Sequence, residues 1–539
     1  MILLLLVAHS VAGLQMAPPT ATVEQGKIQG TTGINLDGDE FLKFLGIPFA
    51  KPPVGNLRFK APEAPDSWQG VRDCTRDGNT CISVYGDPLK SSEDCLYLNV
   101  FTKLLPGPET TPKPVMVFLH PGGFVLGSGT QDMCAPDFLM TEDIVLVTLN
   151  YRLGIFGFLS FDDPALGVPG NAGLKDQTMA LKWVQKNIAG FNGDPHQVTI
   201  FGNSAGGASV QFQILSPTAK GLFHRAIAQS GSALNPWAWG DKNGLAAAEK
   251  LGSQVASDTE ALQLLMEAST EQVLNASRQF TDNLLDSSQR RPFGPVIELP
   301  TPTAFLTRDP VDLWEAGEFN DVPLMLGDVS NEGIIYEFEK LLSGKEPSID
   351  PVEAAVSWKF GLDKGSDKFR SVKELVRNFY YKDGVSKKSL FEVLSDVLFI
   401  EGVLESARLH LRKTKHPVHL YVFSYNSSSN RKFLTAMGLD DTIQGNPHGS
   451  ECSFLFSKRL LGIDLELTED DFKAVRETVK IWANFARTGQ PHPLWDPVTI
   501  SNNLTYFYID RMPLLKQNPF EDRMKLWQHI KLLLSEQAC

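Results

Sequence analysis

Residues 198–210 read VTIFGNSAGGASV. Thr199, Ile200 and Phe201 are β-branched or aromatic and follow Val198, which suits a buried strand. Residues 208–215, ASVQFQIL, carry no glycine or proline and are suited to a helix. Gly202-Asn203-Ser204-Ala205-Gly206 stands at the junction, so the predicted local structure is strand, sharp turn, helix. In such a turn the central serine has a strained backbone and a projecting hydroxyl, and small residues two positions away on either side keep clear of it. Gly202 and Gly206 meet that requirement. The five-letter pattern alone is weak evidence: at average residue usage a chain of 539 residues contains about 0.2 chance matches. Its surroundings have to decide.

A serine hydroxyl is a poor nucleophile until a base takes its proton and a third group orients that base. Among ten histidines, His448 stands out because it lies in the turn-forming GNPHGSE, after the strand-like VHLYVFSY. The carboxylate candidates are Glu332 and Asp328 in GDVSNEG, behind the apolar run 322–326, and residue chemistry leaves both open. Acyl transfer also needs donors for an oxyanion. The strand-like run 115–119 leads into His120-Pro121-Gly122-Gly123-Phe124, whose glycines let backbone N–H groups turn inward, and Ala205 supplies another after the serine. Glycine loop, serine, acid and histidine, each behind a strand, make an ordered set that chance rarely produces.

A chain of this length with 42% hydrophobic residues can bury a large core, and no Pro/Ser-rich linker splits it, so one catalytic domain over 14–539 is expected. The net charge of −13 without a basic stripe argues against nucleic acid and anionic membranes as partners. The opening MILLLLVAHSVAG is an apolar run too short to span a bilayer, followed by small residues. A signal peptide over 1–13, secretion to the extracellular space and no stable membrane anchor are expected. Acceptor sequons at Asn275, Asn426 and Asn503 fit that route. Of six cysteines, Cys81 and Cys95 are the pair expected to bridge, a loop closure worth about 3 kcal/mol. No Cys-x-x-Cys or His-x-x-x-His spacing occurs, so neither a metal nor another cofactor is expected.

The chain resembles an insect-type carboxylesterase of the cholinesterase-like (type B) branch of the α/β-hydrolases. The motifs that carry the likeness run almost from end to end: GIPFA at 46–50, PVG with LRF at 53–59, SEDCLYLNV at 92–100, NYRLG at 150–154 and GLKDQ at 173–177. The resemblance implies an α/β-hydrolase fold, with a large, mostly parallel central sheet flanked by helices in a single domain with helical insertions. It implies Ser204 as nucleophile, Glu332 rather than Asp328 as acid, His448 as base, and Gly122, Gly123 and Ala205 as oxyanion donors. It also implies that Arg58 with Glu93 and Arg152 with Asp176 are structural ion pairs, and that Ser230 touches the catalytic histidine.

Three departures from the family pattern stand out. Pro121 replaces the first glycine of the usual triple-glycine loop, and proline has no N–H to donate. No cysteine occurs at 251–271, where many relatives carry a second bridge. Asn203 precedes the serine, where juvenile-hormone esterases usually carry glutamine and cholinesterases glutamate. The expected function is therefore a secreted serine carboxylesterase acting through an acyl-enzyme on neutral, fairly apolar small-molecule esters: xenobiotic, pheromone or odorant, or hormone esters. The alternatives are a juvenile-hormone esterase and a non-catalytic adhesion protein of the neuroligin or glutactin kind. Adhesion relatives commonly lack part of the triad, whereas Ser204, Glu332 and His448 are all present here.

Overall fold

The computed structural model describes residues 17–280, 290–344, 350–457, 467–499 and 503–536, so the expected signal peptide at 1–13 and Cys539 lie outside the described residues. The apolar runs organise one eleven-stranded sheet. Seven of its strands are parallel neighbours, in the order Val145–Leu149, Lys113–Leu119, Gly193–Asn203, Arg225–Gln229, Leu324–Val329, Val418–Phe423 and Thr505–Ile509. Antiparallel strands complete both ends: Leu514–Gln517 at one, and Tyr97–Thr102, Glu40–Pro48 and Thr31–Ile34 at the other.

The inner strands are apolar throughout because both faces of a parallel sheet are covered. Along Lys113–Leu119 the pleat sends Val115, Val117 and Leu119 into one hydrophobic cluster and Met116 and Phe118 into the other. The first cluster takes in Leu174, Leu181 and Val184 of the helix Ala172–Asn187 and Val210 and Phe212 of the helix Ala205–Leu215. The second takes in the helix Glu469–Thr488. That helix starts on a reciprocal Thr468–Asp471 capping box and stops at Gly489, whose φ of 78° suits a residue without Cβ. Val475, Val479 and Trp482, at helical spacing along it, are buried, and Phe472 is half-buried.

Cys81 and Cys95 form the expected bridge, with Cα atoms 4.9 Å apart, while Cys74, Cys134 and Cys452 are free thiols. Arg58 grips Glu93 with Nε and Nη2 at 2.7 and 2.6 Å, and Arg152 grips Asp176 at 2.8 and 2.7 Å. Both pairs are bidentate. A third buried pair, Lys175 with Glu298 at 2.8 Å, was not expected from sequence. Among the described residues, no helix is long and apolar enough to cross a membrane.

Candidate active site

The strand Gly193–Asn203 delivers the chain to Ser204, which turns at φ 58° and ψ −121° before the helix Ala205–Leu215 begins. A positive φ is costly for a residue with a side chain, and here the turn is fixed by Ser204 N–H donating to Gln229 O at 2.8 Å. The small neighbours have a different purpose from the one the sequence suggested. A Cβ on Gly206 would lie 1.9 Å from Leu119 O, and one on Gly202 would lie 2.6 Å from Gly206 itself. It is the adjacent strand end and the turn's own backbone, rather than the serine side chain, that exclude larger residues.

The glycine loop leaves the strand Lys113–Leu119 at the same end of the sheet. Gly122 has φ 123°, and a Cβ there would meet Leu126 O at 2.1 Å, so glycine is obligatory. The loop's base is braced by His120, whose ring stacks on Tyr151 at 4.1 Å while the Tyr151 hydroxyl donates to His120 O. Burial holds the His120 imidazole down at about 4, and its neutral Nδ1–H donates to Pro121 O at 2.8 Å.

His448 comes from the loop after the strand Val418–Phe423, and Glu332 from the turn after Leu324–Val329. His448 Nδ1 lies 2.6 Å from Glu332 Oε2, and Glu332 Oε1 accepts the Val329 N–H at 2.8 Å. Glu332 is wholly buried. Asp328, the competing acid, is buried on the strand itself, and its carboxyl is held well above the usual range by burial and then by the charges of Glu332 and Glu451. His448 Nε2 is buried with no protein hydrogen-bond partner.

Ser204, His448, Gly122 and Gly123 line one cavity of about 120 Å³. Ala205 is buried behind Ser204 and does not line it; as the first residue of its helix, its N–H has no acceptor within the helix. The walls are largely apolar, with Trp237, Ile334, Phe338, Phe399 and Phe433 among them. The sequons lie elsewhere, and Asn275, Asn426 and Asn503 are all exposed.

Three features escaped the sequence reading. Glu451, three residues past His448, is wholly buried; its Oε1 accepts from Asn203 Nδ2 at 3.1 Å and from Ser230 Oγ at 3.4 Å. Ser230 therefore bonds to this carboxyl, where contact with His448 was expected. Burial, and then the nearby charge of Glu332, push the Glu451 carboxyl up to about 7. Phe399 packs against the His448 ring, centroids 4.3 Å apart and planes tilted by 35°. Arg291 is buried and also lines the cavity. No local pattern announces any of the three. Among the described residues, no cluster of histidine, cysteine and acidic side chains is arranged to hold a metal ion.

The fold and this cavity are those of an α/β-hydrolase. The chain matches the carboxylesterase family over residues 17–527. It is 34% identical to a juvenile hormone esterase of Tribolium castaneum, over 88% of this chain and 84% of that one. It is 34% identical to the pyrethroid hydrolase Ces2a of Mus musculus, over 97% and 93%, and 31% identical to esterase B1 of Culex pipiens, over 88% and 89%. A crystal structure of juvenile hormone esterase from Manduca sexta, with OTFP covalently attached, superposes with a TM-score of 0.84 at 28% identity, covering 96% of this chain and 100% of that one. The chain belongs to the carboxylesterase family, and its activity is the hydrolysis of carboxylic esters.

Proposed function

We propose that Ser204 is the nucleophile, His448 its base and Glu332 the residue that orients and stabilises the imidazolium. The observation that carries this reading is the 2.6 Å contact between His448 Nδ1 and Glu332 beside the left-handed turn at Ser204. With Nδ1–H donating to Glu332, the lone pair of Nε2 is left to take the Ser204 proton. Ser204 Oγ then attacks the ester carbonyl, and the N–H groups of Gly122, Gly123 and Ala205 hold the oxyanion. Pro121 removes a donor only from the first loop position. Collapse expels the alcohol, protonated by His448, and leaves an acyl-enzyme. Water activated by the same histidine releases the acid.

The substrates of this reading are neutral esters of fairly apolar build, supported by the aromatic walls of the cavity. The chain is secreted and glycosylated in this reading, supported by its apolar N-terminus and by three exposed sequon asparagines. The test is Ser204→Ala assayed on a panel of short and medium acyl esters. A fall in kcat of several orders of magnitude with an unchanged melting temperature is expected, because the triad acts as a unit. Retention of more than about a tenth of the activity would refute the mechanism.

A second reading, hydrolysis of juvenile hormone, is favoured by the likeness to two juvenile hormone esterases. Asn203 at the position where those enzymes usually carry glutamine stands against it. Including juvenile hormone in the ester panel decides between the two: a kcat/KM far above every simple ester selects the hormone.

A further inference from the structure

The cavity that holds Ser204 is apolar except at a few points, and one of them is a buried guanidinium. Arg291 is 4% exposed and lines the cavity. Its backbone is pinned, with its N–H donating to Trp239 O at 3.0 Å and its carbonyl accepting the Asp241 N–H at 3.2 Å. The side chain runs from that anchor to the glycine loop. A Cβ on Gly123 would lie 2.8 Å from Arg291 Nη2 and 3.3 Å from its Cζ, so the guanidinium occupies the space that glycine leaves at this position. Gly123 is one of the proposed oxyanion donors, which sets a permanent positive charge beside the scissile carbonyl.

A guanidinium stays protonated at any working pH and carries five N–H donors in a planar fork. It can hold a protein acceptor on one edge and still offer N–H groups to a bound molecule. Away from His448, the other ionisable charged side chain among the described lining is Glu339, on the helix Ile335–Ser343. The Arg291 guanidinium borders the glycine loop at Gly123. A charge in such an apolar enclosure acts strongly on its neighbours, because little water screens it.

We infer that Arg291 is a specificity-determining residue that receives a carboxylate carried near the scissile carbonyl of an otherwise apolar ester, such as a monoester of a short dicarboxylic acid. This extends the proposed function and rests on its placement of the oxyanion at Gly122 and Gly123. Neutral esters are still accepted; the carboxylate adds a charge-assisted bond that a methyl group cannot make.

The test compares 4-nitrophenyl hydrogen adipate with 4-nitrophenyl hexanoate, which differ by a carboxyl in place of a methyl. Both are run at matched, high ionic strength, because the net charge of −13 repels the anion at low salt. Spontaneous hydrolysis is subtracted with a Ser204→Ala blank. In Arg291→Met the ratio of kcat/KM, adipate over hexanoate, is expected to fall about ten- to hundredfold from wild type, the range of one charged hydrogen bond. Arg291→Lys is expected to fall less. A ratio that moves by about threefold or less in Arg291→Met overturns the inference.

Should Arg291→Met fail to fold, wild type is titrated with two ketone transition-state analogues that end in a carboxylate or a methyl group. Tighter binding of the carboxylate member supports the inference, and tighter binding of the methyl member overturns it. Wild-type hydrolysis of the hexanoate no faster than the Ser204→Ala blank would instead strike the mechanism itself.

Discussion

Asn203 and Glu451 explain one another. Glu451 Oε1 is surrounded by donors from Asn203, Gln229 and Ser230, while its Oε2 is buried without a partner. An ionised carboxylate would leave that second oxygen unmet beside Glu332, and so the carboxyl keeps its proton up to about pH 7. An acid at position 203 would place a second carboxyl on the first; the neutral amide donates instead. The raised carboxyl has a signed consequence for stability. Between about pH 4.5 and 7 the folded chain holds a proton on Glu451 that the unfolded chain has released. Its contribution is complete below that window and is lost as pH rises through it. Glu451→Gln removes the titration and keeps an acceptor oxygen for Asn203. Melting temperatures taken from pH 5 to pH 8 are expected to fall less in the variant than in wild type, and equal slopes would show that Glu451 titrates normally.

The helix over the site is interrupted where it meets His448. Lys387–Ser395 and Glu401–Leu411 are α-helical, and Asp396–Ile400 between them makes a π turn. Such a turn leaves carbonyls out of the regular ladder. Here Leu398 O accepts Trp237 Nε1 at 2.7 Å and Phe399 O accepts Asn235 Nδ2 at 2.9 Å. The widened turn is thereby locked, and it holds the Phe399 ring against the imidazole. An aromatic contact of this kind is worth about 0.5–1.5 kcal/mol, or about two- to tenfold in rate if it is spent on aligning His448. Phe399→Leu is expected to lower kcat by that factor, and Phe399→Tyr to restore most of it; a kcat unchanged in the leucine variant would mean the ring only fills space. The π turn was not legible in the sequence, since residues 387–401 carry no glycine or proline to mark an irregularity and the acceptors' partners lie more than 150 residues away. The turn at Ser204 was legible because a strand, a glycine pair and a helix follow one another within 20 residues. The helix Glu469–Thr488 was legible too, from its stripe and its glycine stop. Arg291 and Glu451 depend on which distant loop folds over them, and spacing along the chain carries no trace of that.

Across the molecule, the proposed preference for uncharged over cationic esters can be tested. The loop between Cys81 and Cys95 contains no tryptophan to hold a quaternary ammonium, the neighbour of Ser204 is neutral, and the cavity carries Arg291. A cation over an aromatic face gains about 0.5–2 kcal/mol, roughly two- to thirtyfold in kcat/KM, and this chain lacks that arrangement in the bridged loop. A thioester isosteric with butyrylthiocholine, with tert-butyl in place of trimethylammonium, is expected to be hydrolysed at least as well as the choline compound. The comparison belongs at high salt, where the overall negative charge no longer draws in the cation. A tenfold or greater preference for choline there would contradict the carboxylesterase specificity proposed here. The order of strands in the sheet has a further consequence, one of timing. Ser204, Glu332 and His448 follow three different strands, and Val418–Phe423, which precedes His448, pairs on one side with Leu324–Val329 and on the other with Thr505–Ile509. A ribosome that has released two thirds of the chain has released Ser204 and Glu332 but not His448, which bonds to Glu332 in the folded chain. Long-range parallel pairing is slow and closes late. If His448 is the base proposed above, hydrolytic competence is among the last properties a nascent chain acquires, and a stop codon before the strand Thr505–Ile509 leaves the histidine's supporting strand without one of its two neighbours.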